Sequence, residues 1–268
     1  TAALTGYFGS RGVTQWQAIA PATQANPRHG GGVVDFDRDY GGVDARLAWR
    51  WGGVELVTGA TVERQRDDRL GFENFTGSGS AQVLGVRGAL RRDEANRVGT
   101  RDLYAQAEVA LGDTVTATVG VRTGRVDFTA ADRLLSNGDD SGALRFHYTN
   151  PVAGLRWEVQ PGLTLHASAA RGFESPTLNE LAYRPDGQAG FNDALRPQTS
   201  RQFEVGARWT AGSLRLPGGA RWRRRAGNPV REGRTRPGCR NRPPTCGARA
   251  ASRARPDLPT SSIRSRCA

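Results

Sequence analysis

RDLYAQAEVALGDTVTATVGVR, residues 101–122, sets the reading of the whole chain. Leu103, Ala105, Ala107, Val109 and Leu111 alternate with Asp102, Tyr104, Gln106 and Glu108. Gly112-Asp113 breaks the run, and Val115, Ala117, Val119 and Val121 then alternate with Thr116, Thr118, Gly120 and Arg122. A period of two puts the apolar side chains on one face of a β-strand and the polar ones on the other, so this stretch is a hairpin with a dry and a wet face.

The same pattern recurs outward in both directions. Ala153, Leu155, Trp157 and Val159 alternate with polar residues, turn at Pro161-Gly162, and continue as Leu163, Leu165, Ala167 and Ala169. Val43, Ala45, Leu47, Trp49 and Trp51 run up to Gly52-Gly53, and Phe203, Val205, Ala207 and Trp209 run up to Ala211-Gly212. Gly9-Ser10-Arg11-Gly12 reads as a further, weaker turn. Short turns near 10, 52, 112, 161 and 211 thus alternate with long polar connections over about 21–41, 67–100, 128–143 and 172–198.

A soluble sandwich has equivalent ends and no reason to alternate short and long connections. A transmembrane barrel has short turns on one side and long loops on the other. Trp49, Trp51, Trp157 and Trp209 all sit on the apolar face within about four residues of a short turn, where an interfacial aromatic girdle belongs. The expected fold is all-β: an antiparallel up-and-down transmembrane β-barrel, partial, with about nine to ten strands. A soluble antiparallel protein with one solvated face shares the alternation but not the tryptophan placement. No apolar run approaches the ~18–20 residues of a membrane helix, which excludes helical spans and leaves a barrel open.

Bulk composition hides a division. The chain has net charge +12 and contains neither Lys nor Met. Residues 1–216 carry 24 Arg against 24 acidic residues, whereas residues 217–268 carry 14 Arg against 2. Cys239, Cys246, Cys267 and half of the prolines also fall in 217–268. Two segments follow: 1–216 as barrel and 217–268 as a basic, irregular tail. WRRRAGNPVREGRTR could bind nucleic acid or anionic lipid by charge, or be a solvated tail without a role. The favoured reading is a shifted reading frame in GC-rich DNA, with no nucleic-acid partner.

RGFESPTLNEL and ALRPQTSRQFEVGARW, which bracket the connection over 172–198, resemble the distal barrel of TonB-dependent outer-membrane receptors, in the siderophore-receptor branch. The matching positions are Arg171, Gly172, Phe173, Pro176, Thr177, Glu180 and Leu181 before the loop, and Leu195, Pro197, Ser200, Glu204 and Gly206 after it. Gln198 departs from the family's usual Glu. TGYFGSRGVTQWQAIA, YGGVDARLAW and LYAQAEV look like barrel phrases of the same family, so the resemblance covers about 1–216.

That resemblance implies outer-membrane lipid around the barrel, a Gram-negative outer-membrane location and a ferric siderophore or similar nutrient complex at the loops 67–100, 128–143 and 172–198. It also implies energy from TonB–ExbB–ExbD through a plug domain. Plugged transporters have about 22 strands, so the chain reads as an internal piece of a receptor that does not transport alone. A small porin-like channel or adhesin, or a soluble β-protein with a basic arm, is the alternative.

No catalytic, metal or cofactor site is expected. Glu180 and Glu204 lack a His or a second carboxylate at useful spacing, and Cys239 and Cys246 lack the four close ligands zinc needs. His29, His147 and His166 are scattered, with His166 on the polar face. Gly77-Ser78-Gly79-Ser80 lacks a Walker lysine. Asp35, Asp37 and Asp39 lack the glycine and distal glutamate of a calcium loop, and read as a solvated acidic edge.

Overall fold

The computed structural model describes residues 1–182, 184, 190–211 and 214–226. In chain order these hold β1 (Ala2–Trp16), α1 (Pro21–Gln24), β2 (Val33–Trp51), β3 (Val54–Phe72), β4 (Phe75–Thr76) and β5 (Val83–Leu84). They continue with β6 (Leu90–Ala110), β7 (Val115–Asp132), β8 (Gly142–Gln160), β9 (Leu163–Glu174), α2 (Leu178–Leu181), β10 (Gln198–Ala211) and β11 (Leu214–Ala226). Nine strands form one antiparallel meander, ordered β1-β2-β3-β6-β7-β8-β9-β10-β11, while β4 and β5 make a separate two-stranded ribbon. Among the described residues β1 pairs only with β2 and β11 only with β10, so the sheet is open.

The turn chemistry closes the short ends as the residues dictate. Gly52 and Gly53 both take positive φ, the two-residue hairpin turn whose twist matches the strands it joins. Pro161-Gly162 places its glycine at φ 84°, and a bulge between Glu158 and Gln160 takes up the mismatch.

Gly9-Ser10-Arg11-Gly12 is not a turn. Neither glycine there takes a positive φ, and the segment runs through β1 in continuous register, Gly9 opposite Tyr40 and Gly12 opposite Asp37. Gly9 is there for close approach: the Tyr40 ring lies across it and fills the place of a Cβ. Tyr104 lies across Gly59 in the same way.

The strands also reach further than the sequence suggests. Most of 67–100 is paired: β3 continues to Phe72 and β6 begins at Leu90. The long connections shrink to 17–32, 73–89, 133–141 and 175–197. Asp35, Asp37 and Asp39 lie inside β2 with partners on both sides, not on an acidic edge. Likewise β11 does not stop at Leu216; it continues through Pro217 to Ala226 in register with β10. Alternating charged pairs such as Arg38 with Asp67, bonded through Nε at 2.8 Å and Nη2 at 2.6 Å, hold these polar strand ends together.

Register joins the separate apolar runs into one face. A single row crosses the sheet through Trp49, Leu56, Ala107, Val119, Ala153, Ala169, Phe203 and Trp222. Leu103, Val119, Leu155, Phe203 and Trp209 stand exposed on it. Each such side chain is worth roughly 1.5–3 kcal/mol on leaving water, and the patch far exceeds the few hundred Å² a soluble monomer exposes.

Along β3, β6, β9 and β10 the apolar face ends in charge on the long-connection side. Val62 gives way to Arg64, Leu103 to Arg101, Ala169 to Arg171 and Phe203 to Arg201. The opposite, polar face carries the only buried apolar cluster among the described residues: Val126, Phe128, Phe146 and Leu181.

Candidate functional site

The four long connections meet over the polar face at one end of the sheet. The first two are tied by amides: Gln24 Nε2 donates to Asn74 Oδ1 at 2.7 Å, and Asn74 Nδ2 donates to the carbonyls of Gln17 and Ile19 at 2.9 and 3.1 Å. Arg91, at the start of β6, donates to the carbonyls of Gln24 and Asn26 and pairs with Glu73 at 3.2 Å. Arg28 pairs with Asp140, which joins the first connection to the third. Asn137 reaches the carbonyls of Pro27 and Arg91, both at 3.3 Å.

Beneath this assembly the polar face is buried yet charged. Arg92, Glu94 and Asn96 are nearly inaccessible on β6, with Arg92 and Glu94 paired at 3.0 Å. Asp102 is buried too; it accepts from Arg122 Nη2 and from the Tyr148 hydroxyl. His29 sits in the first connection, where its Nδ1 accepts from the Gly31 amide at 3.0 Å. Burial, and then the guanidinia of Arg91 and Arg92, push its imidazole below the ordinary histidine range.

The fourth connection is docked by residues from the RGFESPTLNEL phrase. Thr177 and Glu180 form a capping box: the Thr177 hydroxyl accepts from the Glu180 amide, and the Glu180 carboxylate accepts from the Thr177 amide at 2.7 Å. Glu180 therefore works as a helix cap. Leu181, 1% exposed, anchors α2 in the cluster of Val126, Phe128 and Phe146, with Leu178, Phe191 and Leu195 packed around it. Phe173 stacks on Tyr148 at 4.6 Å between centroids. Ser200 is buried opposite Gly172, whose bare Cα leaves room for the serine hydroxyl.

Arg171 stands opposite Arg201 at the β9–β10 margin, and Pro176 and Pro197 lie in the connection between the two strands. Glu204 pairs with Arg221 of β11 at 2.7 Å and lies 3.8 Å from His166; Gly206 accommodates the His166 ring. Trp49, Trp51, Trp157 and Trp209 are exposed on the apolar face near the short turns.

Sequence reasoning missed Trp222, which lies on the same face opposite Phe203 but inside the stretch assigned to the tail. The alternation of Leu216, Gly218, Ala220 and Trp222 was the available signal. It also missed Gln24, Asn74 and Arg91, whose pairing over 50 residues and more leaves no local pattern. Cys239, Cys246 and Cys267 lie outside the described residues, and none of the described His, Asp and Glu residues gather as a metal-binding group.

Residues 2–221 match the family model described as TonB dependent receptor-like, beta-barrel. The fold is similar to that of the copper transporter OprC (TM-score 0.59, 15% identity), over 82% of this chain and 34% of that one. It is similar to the ferric citrate transporter FecA (0.59, 14%), over 83% and 31%. The FrpB iron transporter from Neisseria meningitidis compares at 0.57 and 15%, over 83% and 33%. The chain spans about a third of the length of these solved structures. It belongs to the TonB-dependent receptor β-barrel family.

Proposed function

We propose that this member of the TonB-dependent receptor β-barrel family forms part of the wall of a Gram-negative outer-membrane transporter for ferric siderophores. The carrying observation is the two-faced sheet. One face is apolar and edged by tryptophan and arginine; the other is polar and crowned on one side only by interlocked long connections. A bilayer satisfies the first face, and a wet lumen satisfies the second.

The crowned end is the mouth at which a chelate would bind. Arginine suits anionic iron complexes because its planar fork pairs with carboxylate or catecholate oxygens. The wall does no covalent chemistry. Energy would come from TonB–ExbB–ExbD acting on a plug domain. The siderophore reading is supported by the family, by the FecA and FrpB likenesses and by the receptor phrases around 172–198.

The test is made on the full 268-residue chain expressed in a Gram-negative host lacking its own siderophore receptors. It should sediment with outer membranes and resist urea extraction; recovery in the soluble fraction would sink the proposal. Among the described residues nine strands leave both sheet edges unpaired, so the chain alone should give no uptake of radiolabelled ferric siderophore above background. Uptake above background would overturn the partial-wall reading.

A further inference from the structure

The apolar face carries a second feature that transport does not use. Where its band meets the charged margin on β2, β3, β6 and β7 lies a groove of about 770 Å³. Its floor is one cross-strand row of Phe8, Gly41, Arg64, Gly99 and Asp127. Gly99 makes the hollow: a Cβ built on it would meet nothing within 4 Å, whereas one on Gly41 would meet the Tyr7 carbonyl oxygen at 2.9 Å and the Phe8 ring at 3.4 Å.

Arg64 stands opposite Gly99, and Arg97 and Arg101 flank it two residues either way on β6; all three guanidinium-bearing residues are exposed. Neighbouring cations are spent: Arg66 pairs with Asp68 at 3.0 Å, and Arg125 and Arg145 both pair with Asp127. Arg64, Arg97 and Arg101 make no ion pair among the described residues. One step toward the short turns, the next row on this face holds Val43, Val62 and Arg101, and the row after it Ala45, Ala60 and Leu103.

We propose that this groove binds a phosphate-bearing lipid of the leaflet on the long-connection side. Arg64, Arg97 and Arg101 would hold the phosphate, and Val43, Val62 and Leu103 would carry the acyl chains. The proposal rests on the bilayer-spanning reading above. Asp39 and Asp127 also line the groove, but Asp127 is engaged by Arg125 and Arg145, so the guanidinia of Arg64, Arg97 and Arg101 stand in excess at the edge of an apolar band, where a lipid phosphate is the anion a bilayer places. The apolar half of the groove continues into the lipid-facing band, which a free anion or an acidic peptide would leave bare.

The full chain is inserted into phosphatidylcholine nanodiscs, and binding of fluorescent diphosphorylated lipid A is compared with its dephosphorylated form and with inorganic phosphate. The phosphorylated lipid should bind at least tenfold more tightly than the dephosphorylated one, with inorganic phosphate competing only weakly. The triple substitution Arg64→Gln, Arg97→Gln, Arg101→Gln should weaken it at least tenfold, and Arg133→Gln, whose guanidinium pairs with Asp68 and Asp93 away from the groove lining, should leave it unchanged. Gly99→Leu, whose Cβ would meet nothing within 4 Å, should fill the hollow and weaken binding while keeping every charge.

Equal binding of both lipid forms, or full binding by the triple and Gly99→Leu variants, would overturn the proposal. Tight inorganic phosphate binding would reduce the groove to an anion site and overturn it as well. Quenching of tryptophan emission by brominated lipid separates the two readings. A chain that inserts but shows no phosphate dependence refutes the lipid site alone; a chain that never inserts refutes both.

Discussion

Substituting arginine along β7 tests the two-faced wall at its centre. Val119 lies on the apolar face four residues from Val115 near the short turn and four from Thr123 below the charged margin. At about 3.3 Å per residue this puts roughly 13 Å of strand on either side, so Val119 is at mid-band. Val119→Arg should cost about 2–4 kcal/mol, the penalty for a cation at the bilayer midplane, or about 30- to 700-fold in the folding equilibrium. Thr123→Arg, at the margin, should cost about 0–1 kcal/mol.

The decisive comparison is Thr118→Arg, one residue away on the polar face. Thr118 is opposite Glu108 and Gly154, which offer a carboxylate and room, so the cost should stay below about 1 kcal/mol. The assay is urea unfolding of the full chain in phosphatidylcholine vesicles, followed by tryptophan emission. Equal costs at 118 and 119, or no penalty at 119, would refute the assignment of faces.

Three further outcomes follow from the loop assembly and the tail. Leu181→Ala should release α2, at about 2–4 kcal/mol for a fully buried leucine, and Thr177→Ala should cost about 1 kcal/mol through the lost cap; hydrogen exchange over 178–182 reads both. His29 has a lowered folded pKa, so the folded state binds fewer protons than the unfolded one near neutrality. Its stabilisation is complete above the ordinary histidine value of about 6.5 and is lost as pH falls through the folded value; limited proteolysis of 17–32 should accelerate toward pH 5 in the wild type and less in His29→Gln. The tail proposal predicts that a shifted frame of the nucleotide sequence, read beyond codon 222 where the alternation ends, encodes further alternating strands; stops in every shifted frame would refute it.

The two faces were legible because period two survives any tertiary context: the side chains named from alternation on β2, β6, β7, β8, β9 and β10 lie in the shared apolar rows, except Val159, which the bulge between Glu158 and Gln160 sets outside them. The strand ends were not. Beyond the apolar band both faces are polar, so Asp35–Tyr40, Asp67–Phe72 and Leu90–Thr100 lose the contrast that marks a strand, although paired charges hold them extended. Gly9–Gly12 misled because glycine signals a turn locally, whereas here it makes room for Tyr40 from a neighbouring strand. The RGFESPTLNEL phrase was recognisable before its physics was; the capping box, the Leu181 anchor and the Phe173–Tyr148 stack emerge only when the connection folds back.

The descending charge margin fixes a quantity no side chain states. In the row from Trp49 to Trp222, Leu56 lies eight residues from Arg64 on β3, while Phe203 lies two from Arg201 on β10. A flat bilayer surface must cut both strands at the same height, so six residues of stagger, about 20 Å, accumulate over five interstrand steps of about 4.8 Å each. The strands must then lean roughly 40° from the membrane normal, within the 35–45° at which outer-membrane barrels close. The arginines of β3, β6, β7, β9 and β10 follow that slant, while Arg145 on β8, eight residues from Ala153, departs from it.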